Sequence, residues 1–306
     1  MKKCKRNMID EIVAIFYYFI IKFDNNIFRI DDEKYLKIKY RYLLNRKLNL
    51  NNPQSFNEKL QWLKLNKQNP EYSKLVDKFE VKEILKNELK GLDINFIKTL
   101  GIYDNFEQID FNKLPQQFVI KCTHDSGSYK IIKDKGKINY KELSNFYKKK
   151  LKKNFYYESR EYPYKSIKPR IIIEEFIQDR NREGLLDYKF QCFYGKVDNI
   201  LVCVDREKET GVKYHYFDRE WKYKPYNPYE GINEKNVNVA KPEKLEEMIK
   251  IAEKISKDIP EVRVDLYLVN GKIYFGELTF FSQGGFDNDI TEKADKIIGE
   301  KFELPR

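Results

Sequence analysis

Residues 262–278 read VRVDLYLVNGKIYFGEL, two runs rich in apolar and aromatic residues separated by Asn-Gly. Asn270-Gly271 is typical of a two-residue hairpin turn, because both central residues of such a turn need positive φ. Tyr194-Gly195 occupies a similar position between two further β-type runs. The sequence therefore predicts hairpins, and sheets that are largely antiparallel rather than doubly wound.

The last hairpin brings charged side chains together. Counting outward from its turn places Asp265 opposite Gly276 and next to Glu277, while alternation puts Arg263, Asp265 and Tyr267 on one face. Two carboxylates in an otherwise apolar hairpin repel each other and are costly to bury without a cation. Magnesium takes such oxygen ligands, usually one or two carboxylates plus substrate phosphates. Carboxylates that simply face solvent at an edge hairpin fit these residues equally well.

The rest of the chain divides into a helical front and a β-rich remainder. Residues 31–100 are predicted to be helical, with a capping box at Ser55 and Glu58 and a helix over 72–89. The residues predicted to form the buried face of the first helix are Tyr35, Leu36, Ile38, Tyr42 and Leu43. Strands are predicted at 118–122, 129–133, 170–177, 187–194, 197–205 and 214–218, with helices at 141–153 and 243–257. The fold class is α+β.

Composition limits the possible functions. The chain has 306 residues, is 41% hydrophobic and carries a net charge of +11, which excludes disorder of the whole chain and favours phosphate-bearing or anionic partners. Four cysteines without a CxxC pair, and only two histidines, argue against a zinc site or a disulfide framework. A reducing compartment, the cytoplasm, is expected.

The longest apolar run, residues 12–21, has ten residues, whereas spanning a bilayer takes about 20. A helix packed on the main body is the favoured interpretation. Peripheral binding of residues 9–23 at the inner face of the membrane is the alternative.

A second polar element follows the predicted strand at 118–122. FVIKCTHDSGS combines Lys121, which can reach phosphate, with a turn whose backbone amides can face the phosphate oxygens. The turn contributes His124, Ser126, Gly127 and Ser128, and Lys133 on the next strand could face it. An ordinary hairpin turn is the simpler alternative. A third element, Glu174-Glu175-Phe176-Ile177, ends an apolar strand and could meet an adenine edge, or could be a core strand with a charged end.

Six motifs in this order resemble the TupA-like ATP-grasp family of bacterial surface-polysaccharide loci, over about residue 35 to the C-terminus. They are NPQSFNEKLQWLKL, LVDKFEVKEIL, LPQQFVIKCTHDSGS, PRIIIEEF, LLDYKFQCFYGK and VRVDLYLVNGKIYFGELTF. The resemblance implies two α+β lobes with largely antiparallel sheets clamping ATP, preceded by a helical N-terminal region. It divides the chain into that region (1–75), the part with the small lobe (76–173) and a C-terminal lobe with the metal site (174–306).

The resemblance also implies an activity: ATP- and Mg²⁺-dependent activation of a carboxylate as an acyl phosphate, then amide formation with an amine or amino acid. A uronic acid of a capsular or other surface polysaccharide, or of its precursor, would be the carboxylate. ATP would be contacted by Lys78, Lys121, the 124–128 loop, Lys133, the hinge Glu174, Glu175, Phe176 and Ile177, and Lys189. Arg263 and Lys189 would be catalytic, and Asp265 and Glu277 would hold the metal.

Two details qualify this assignment. Thr279 stands where many ATP-grasp enzymes have Asn, so a second magnesium is less secure, although a hydroxyl can still ligate. Gly284 and Gly285, followed by Phe286, suit a backbone that approaches a substrate closely, and equally suit a turn.

Residues 141–170 carry ten Lys and Arg against three acids, with interleaved aromatics. An anionic glycan, with Arg160 among its contacts, is the preferred partner of this patch. A solvent-exposed surface without a partner ranks second, and binding of nucleic acid ranks third.

Two other functions stay open. A nucleotide-sugar glycosyltransferase could use the DxD pattern Asp287-Asn288-Asp289, which is expected in a polar tail, and a nucleic-acid-binding module could use the patch.

Overall fold

The computed structural model describes residues 30–180, 184–204, 212–228, 237 and 239–306, together with Ile12, Phe16 and Phe19. The helices in these ranges are α1 Asp32–Leu44, α2 Phe56–Asn66, α3 Tyr72–Val76, α4 Glu80–Glu88, α5 Tyr140–Leu151, α6 Tyr156–Ser159, α7 Leu245–Ile255 and α8 Glu292–Lys301. The strands are β1 Asn95–Phe96, β2 Thr99–Tyr103, β3 Phe118–Cys122, β4 Lys130–Ile132, β5 Ile171–Glu175, β6 Asp187–Phe193, β7 Lys196–Val204, β8 Lys213–Phe217, β9 Tyr223–Lys224, β10 Val262–Val269 and β11 Lys272–Thr279.

The strands form two sheets. The larger has the order β1-β11-β10-β6-β7-β8-β9 and the smaller β2-β5-β3-β4. Neighbouring strands are antiparallel except β1 and β11. The expected α+β architecture with largely antiparallel sheets and a helical N-terminal region is therefore confirmed. The division of the chain at residues 75 and 173 stays a prediction.

Both predicted two-residue hairpins form. Tyr194 and Gly195 have φ of 48° and 75°, and Asn270 and Gly271 have 49° and 73°. Phe193 pairs with Lys196, and Val269 pairs with Lys272, directly beside these turns. The turn chemistry thus fixes the register of β6 with β7 and of β10 with β11 at one end.

The last hairpin departs from simple counting because it contains a bulge. The register shifts between Asp265 and Leu266, so Asp265 pairs with Glu277 rather than with Gly276. A Cβ on Gly276 would lie 2.9 Å from the Asp265 carbonyl oxygen, so the extra residue is one that has no side chain. The predicted pairing with Gly276 is wrong by one residue, and the two carboxylate residues are direct partners.

Three predictions for the front of the chain need correction. The helix expected over 72–89 is two short helices, because the Asp77 side chain accepts hydrogen bonds from the amides of Phe79 and Glu80 and starts a new helix there. The helical range 31–100 also contains β1 and the start of β2. On α1 the buried residues are Tyr35, Leu36 and Tyr40, whereas Ile38, Tyr42 and Leu43 are half-buried.

The helices pack on the sheets in a way that leaves one face of the large sheet to polar residues. α7 lies against β6, β7 and β10 and buries Met248, Ile249 and Ala252. α5 covers the small sheet, where Tyr147 donates to the Ile120 carbonyl. α2, which begins with the predicted capping box at Ser55, packs on α8.

In the described part of the chain, no helix has the length and apolar character needed to cross a bilayer. Residues 9–23 lie outside the described residues except Ile12, Phe16 and Phe19, whose side chains are exposed.

Gly299 allows α8 to approach α2 closely. A Cβ at this position would lie 2.7 Å from the Phe56 amide nitrogen and closer still to the Gln54 carbonyl oxygen. Alanine in a helix normally stabilises by about 1 kcal/mol relative to glycine. We expect Gly299→Ala instead to lower the free energy of unfolding by about 1–3 kcal/mol, because the helices must separate. Urea denaturation would measure this, with Glu300→Ala on the exposed side of α8 as the control. A variant as stable as wild type would contradict the packing.

Candidate active site

A row of side chains crosses five strands on one face of the large sheet. Glu277 pairs with Asp265, Asp265 with Lys189, Lys189 with Leu201 and Leu201 with Tyr216. Partners on neighbouring strands share a face, so the ladder itself brings the predicted metal ligands beside a predicted catalytic lysine.

A second row runs beside the first. Thr279 pairs with Arg263, Arg263 with Gln191, and Gln191 with Asn199. Arg263 stands two residues before Asp265 on β10, so its side chain projects on the same face. The two rows together place Arg263, Lys189, Asp265, Glu277 and Thr279 within one patch.

Asp265 is the centre of this patch. Its side chain is 1% exposed, and its two oxygens accept hydrogen bonds from Arg263 Nε at 2.7 Å and Arg263 Nη2 at 2.9 Å. Lys189 Nζ also donates to Asp265 Oδ2. Burial acts to raise the pKa of Asp265, but the charges of Arg263 and Lys189 outweigh it and hold the pKa below its ordinary value. Asp265 is therefore ionised at neutral pH.

Lys189 bridges two carboxylates, since its Nζ also lies 2.8 Å from Asp187 Oδ2. Burial and the charge of Arg263 act to lower the pKa of Lys189, yet Asp265 and Asp187 raise it above the ordinary lysine value. Lys189 thus stays cationic although it is buried. Sequence reasoning did not assign a role to Asp187, although it lies in the DYKF motif.

Glu277 is the accessible carboxylate of the patch, with its side chain 43% exposed and Oε1 3.9 Å from Arg263 Nη2. Thr279 Oγ1 accepts from the same guanidinium nitrogen at 3.0 Å. In the described residues, no group of three His, Cys, Asp or Glu side chains is placed to hold a metal. Glu277 is an oxygen donor of the kind that magnesium takes together with substrate phosphates, whereas both oxygens of Asp265 already accept hydrogen bonds from Arg263 and Lys189.

The loop after β3 is anchored at its ends and open at its tip. Lys78 Nζ donates to the Asp125 carbonyl, and Tyr147 donates to the Ser128 carbonyl at 2.9 Å. His124 is buried, which lowers its pKa. Ser126 and Gly127 are exposed, and Gly127 has a φ of 76° that favours glycine. The structure thus brings Lys78 together with the predicted loop.

A buried carboxylate holds Lys121 in place. Glu174, 2% exposed, lies with Oε2 2.6 Å from Lys121 Nζ, and its Oε1 accepts from Lys82 Nζ. Burial acts to raise the pKa of Glu174, but the two lysines hold it below the ordinary value. Glu174 therefore positions Lys121 and Lys82, and its carboxylate is not available to accept a hydrogen bond from the nucleotide as predicted for the hinge. Lys82 was missed, although it follows Lys78 at helical spacing in the motif VDKFEVKEIL.

The remaining hinge residues and Lys133 line an open groove at the other end of the small sheet. Glu175 and Phe176 border it together with Lys133, and Ile177 beside them is half-buried. Lys133 follows β4, next to the pairing of Ile132 with Phe118. Because the loop at 124–128 continues from the opposite end of β3, the structure does not bring Lys133 to that loop.

One tyrosine connects the loop to the carboxylate patch. Tyr164 is buried, and burial raises its pKa well above the ordinary value. The charges of Glu161, Glu277 and Asp125 raise it further, whereas Arg263 lowers it. Asp125 belongs to the loop after β3, so the loop and the patch both lie within electrostatic range of the same ring. Charges of the loop and of the patch therefore both act on Tyr164.

The three predicted substrate residues lie in the interior. Arg160 is 3% exposed, pairs with Asp32 Oδ1 at 2.9 Å, and its guanidinium lies 4.1 Å from the Tyr35 ring centroid. Gly284 and Gly285 have φ of 60° and 64° and approach the protein's own α2, where Gln61 Nε2 donates to both carbonyls. Direct contact of these residues with a substrate stays a prediction that their burial does not support.

The basic region 141–170 is partly neutralised by local ion pairs. Lys148 pairs with Glu107 at 2.5 Å and Lys168 with Asp104 at 2.8 Å. Arg170 lies 3.2 Å from Asp77 Oδ2. Binding of an anionic glycan by this patch stays a prediction.

The DxD pattern does not lie in a polar tail. Asp287 is 9% exposed and, with Asp289, lines a cavity that Lys189 and Arg263 also line. The expected polar tail is wrong for Asp287, whose backbone amide and carbonyl are both bonded by the Asn57 side chain of α2, although Asn288 is exposed.

Comparison with protein families gives a match to the TupA-like ATP-grasp model over residues 58–303. The chain belongs to the TupA-like ATP-grasp family. This confirms the resemblance noted in the sequence and the ATP-grasp fold. Comparison with curated proteins gives no match.

Several solved structures are similar to this TupA-like protein. D-alanine–D-alanine ligase from Bacillus anthracis, complexed with ATP, is 18% identical, with 74% of this chain and 63% of that chain covered and a TM-score of 0.44. The Helicobacter pylori enzyme is 14% identical, with 74% and 59% covered and a TM-score of 0.40. Phosphoribosylamine–glycine ligase from Thermotoga maritima is 15% identical, with 93% and 68% covered and a TM-score of 0.45. The chain thus spans about 60% of the length of these D-alanine–D-alanine ligases.

Asp265 and Glu277 should differ sharply in their effect on stability. Asp265→Asn leaves two buried cations with one anion fewer, and we expect a loss of about 3–5 kcal/mol in the free energy of unfolding. Glu277→Gln makes the same chemical change at an exposed partner and should cost at most about 1 kcal/mol. Guanidinium denaturation at neutral pH would measure both. Equal losses, or no loss for Asp265→Asn, would contradict the charge cluster.

Proposed function

We propose that this TupA-like ATP-grasp protein is an ATP- and Mg²⁺-dependent ligase that activates a carboxylate as an acyl phosphate and joins it to an amine as an amide. The carboxylate would be a uronic acid of a capsular or other surface polysaccharide, or of its precursor. The observation that carries the proposal is the pair of ladder rows that unites Arg263, Lys189, Asp265 and Glu277 on one face. Family membership supports the same reaction class.

The chain's own residues supply positive charge where phosphoryl and acyl groups would meet. Lys189 and Arg263 stay cationic in a buried setting, and fixed charges in such surroundings stabilise developing negative charge without reorganisation. Lys121, fixed by Glu174, would meet the nucleotide phosphates, and the exposed tip at Ser126 and Gly127 would cover them. Bound magnesium, held by Glu277, Asp265 and the hydroxyl of Thr279, would neutralise phosphate charge.

The same proposal assigns the two sheets to the two lobes that would clamp ATP, with divisions near residues 75 and 173.

The proposed substrates also indicate the cellular location of the enzyme. A precursor of a surface polysaccharide is made in the cytoplasm, so we place the enzyme there, and residues 9–23 could attach it to the inner face of the membrane. Nucleic acid is not an expected partner, because local ion pairs reduce the charge of the basic region.

The reaction class can be tested directly. The protein would be incubated with ATP, magnesium and a panel of uronates and amino acids, and the products analysed by mass spectrometry. We expect ADP and phosphate, together with a product whose mass is the sum of uronate and amine less water. Glu277→Gln should lower this activity by roughly 100-fold or more while the protein remains folded. Release of UDP from UDP-sugars without ADP formation would instead indicate a glycosyltransferase.

Lys121 offers a separate test of the nucleotide site. We expect Lys121→Ala to weaken binding of a non-hydrolysable ATP analogue by roughly 10- to 100-fold, as hydrogen bonds to charged groups contribute about 1.5–3 kcal/mol. Isothermal titration calorimetry would measure the affinity. The matched control is Lys137→Ala, whose side chain is 84% exposed. Unchanged affinity in the Lys121 variant would remove this lysine from the phosphate site.

A further inference from the structure

A small cavity lies between the polar face of the large sheet and the segment that follows β11. Its volume is about 40 Å³, room for two or three waters or for the reactive end of a small molecule. Lys189 and Arg263 line one part of it, and Asp287 and Asp289 line another. The other lining residues are the apolar Phe56, Leu201, Ile290 and Ile298 and the polar Gln191, Asn199, Tyr214, Tyr216, Ser282 and Gln283.

Asp287 is held by three hydrogen bonds, and no cation among the described residues pairs with its carboxylate. Its amide donates to Asn57 Oδ1 at 2.8 Å, its carbonyl accepts from Asn57 Nδ2 at 3.1 Å, and its Oδ1 accepts from the Asp289 amide at 2.8 Å. Across the part of the chain that the structure describes, neither a cation nor another donor contacts its Oδ2. A carboxylate buried without a cation is costly. The site therefore favours a ligand that brings positive charge.

Tyr216 gives an independent indication of a ligand. Its side chain is 6% exposed and lines the same cavity, and its hydroxyl has no hydrogen-bond partner among the described residues. Asp287, Asp289 and Arg263 all act on it electrostatically. A polar group of a molecule bound in this cavity could therefore bond to the hydroxyl.

The cavity is thus lined by both cations and anions. The cationic part is where the proposed acyl phosphate would lie, and the acidic part is suited to a primary ammonium group. We propose that this cavity receives the amino end of the acceptor, a small primary amine, and that Asp287 Oδ2 binds its ammonium group and accepts one proton from it. This inference rests on the proposed ligase function.

The chemical step balances as follows. The acceptor enters as an ammonium ion, and Asp287 takes one proton, which leaves a neutral amine with a free electron pair. That pair attacks the acyl carbon, a C–N bond forms, and the C–O bond to phosphate breaks with its electrons leaving on phosphate. The second proton passes from nitrogen to the departing phosphate, and Asp287 then releases the first proton to solvent.

The surroundings of Asp287 suit this role. Burial, with a contribution from Asp289, raises its pKa to about 6, closer to neutrality than an ordinary carboxyl group. A general base works best when its pKa is near the working pH. Arg263 on β10 and Lys189 on β6 also line the cavity, and there they would stabilise the oxyanion formed during attack.

The test separates amine activation from carboxylate activation. Wild type and Asp287→Asn are supplied with ATP, magnesium and the uronate panel, and then with amino acids or with hydroxylamine as probe acceptors at neutral pH. Hydroxylamine is largely unprotonated there, so it needs no base and traps the acyl phosphate as a hydroxamate. We expect Asp287→Asn to lose amide formation by about 10²–10⁴-fold in kcat and to keep most hydroxamate formation.

Two more variants sharpen the comparison. Tyr216→Phe should raise KM for the amino acid acceptor with little change in kcat for hydroxamate formation. Glu220→Gln removes an exposed carboxylate from the turn between β8 and β9 and should change neither reaction. Asparagine at 287 keeps the acceptor for the Asp289 amide, so the variant retains the local backbone bond.

Each outcome has a defined meaning. Wild-type amide formation by Asp287→Asn, or equal loss of both reactions in a folded variant, overturns the role of Asp287 and leaves the ligase proposal standing. A wild-type protein that forms neither amide nor hydroxamate with the panel refutes the ligase proposal, and this inference with it. Loss of UDP-sugar hydrolysis in Asp287→Asn would assign the cavity to a glycosyltransferase.

Discussion

The double contact of Asp265 with Arg263 and Lys189 is the constraint on which the site depends. A carboxylate in the interior is tolerated here because two cations on the same and the neighbouring strand neutralise it. These contacts exist only in one register, since a shift by one residue would turn the side chains of a strand to the opposite face. The bulge at Gly276 completes the register by placing Glu277 directly beside Asp265.

The N-terminal helices are part of the site's construction. α2 presents Gln61 and Lys64 to the carbonyl of Gly284, and burial lowers the pKa of Lys64 to about 7. Asn57 holds the backbone of Asp287 one turn earlier on the same helix. The acidic wall of the cavity therefore takes its shape from α2, while the cationic wall takes its shape from the sheet.

Local signals predicted much of the fold. Both two-residue hairpins could be predicted because each turn is determined by two adjacent residues, Asn-Gly or Tyr-Gly. The helix start at Ser55 could be predicted because its capping box involves only four consecutive residues. The break at Asp77 was missed although Asp is a good cap, because Arg170, 93 positions away, also holds that side chain. The two-residue strand β1 carries almost no periodic signal and exists through pairing with β11.

For the site, the motifs identified which residue types lie near each other but not their contacts. Lys121 was recognisable, whereas its partner Glu174 was assigned to the hinge, because only the pairing of β3 with β5 brings the two together. The bulge shifted the partner of Asp265 by one position, which no count from the turn could reveal. Burial of Arg160 and Asp287 likewise arises from packing by distant helices.

The bond between Asn57 and Asp287 spans 230 positions of sequence. The side-chain amide of Asn57 pairs with the backbone amide and carbonyl of Asp287. A substitution at Asn57 is therefore tolerated only if the backbone near Asp287 changes with it. Descendants of a common ancestor that accept differently shaped acceptors should therefore carry paired replacements in α2 and in the segment between β11 and α8. The beginning and the end of the chain would evolve as one unit.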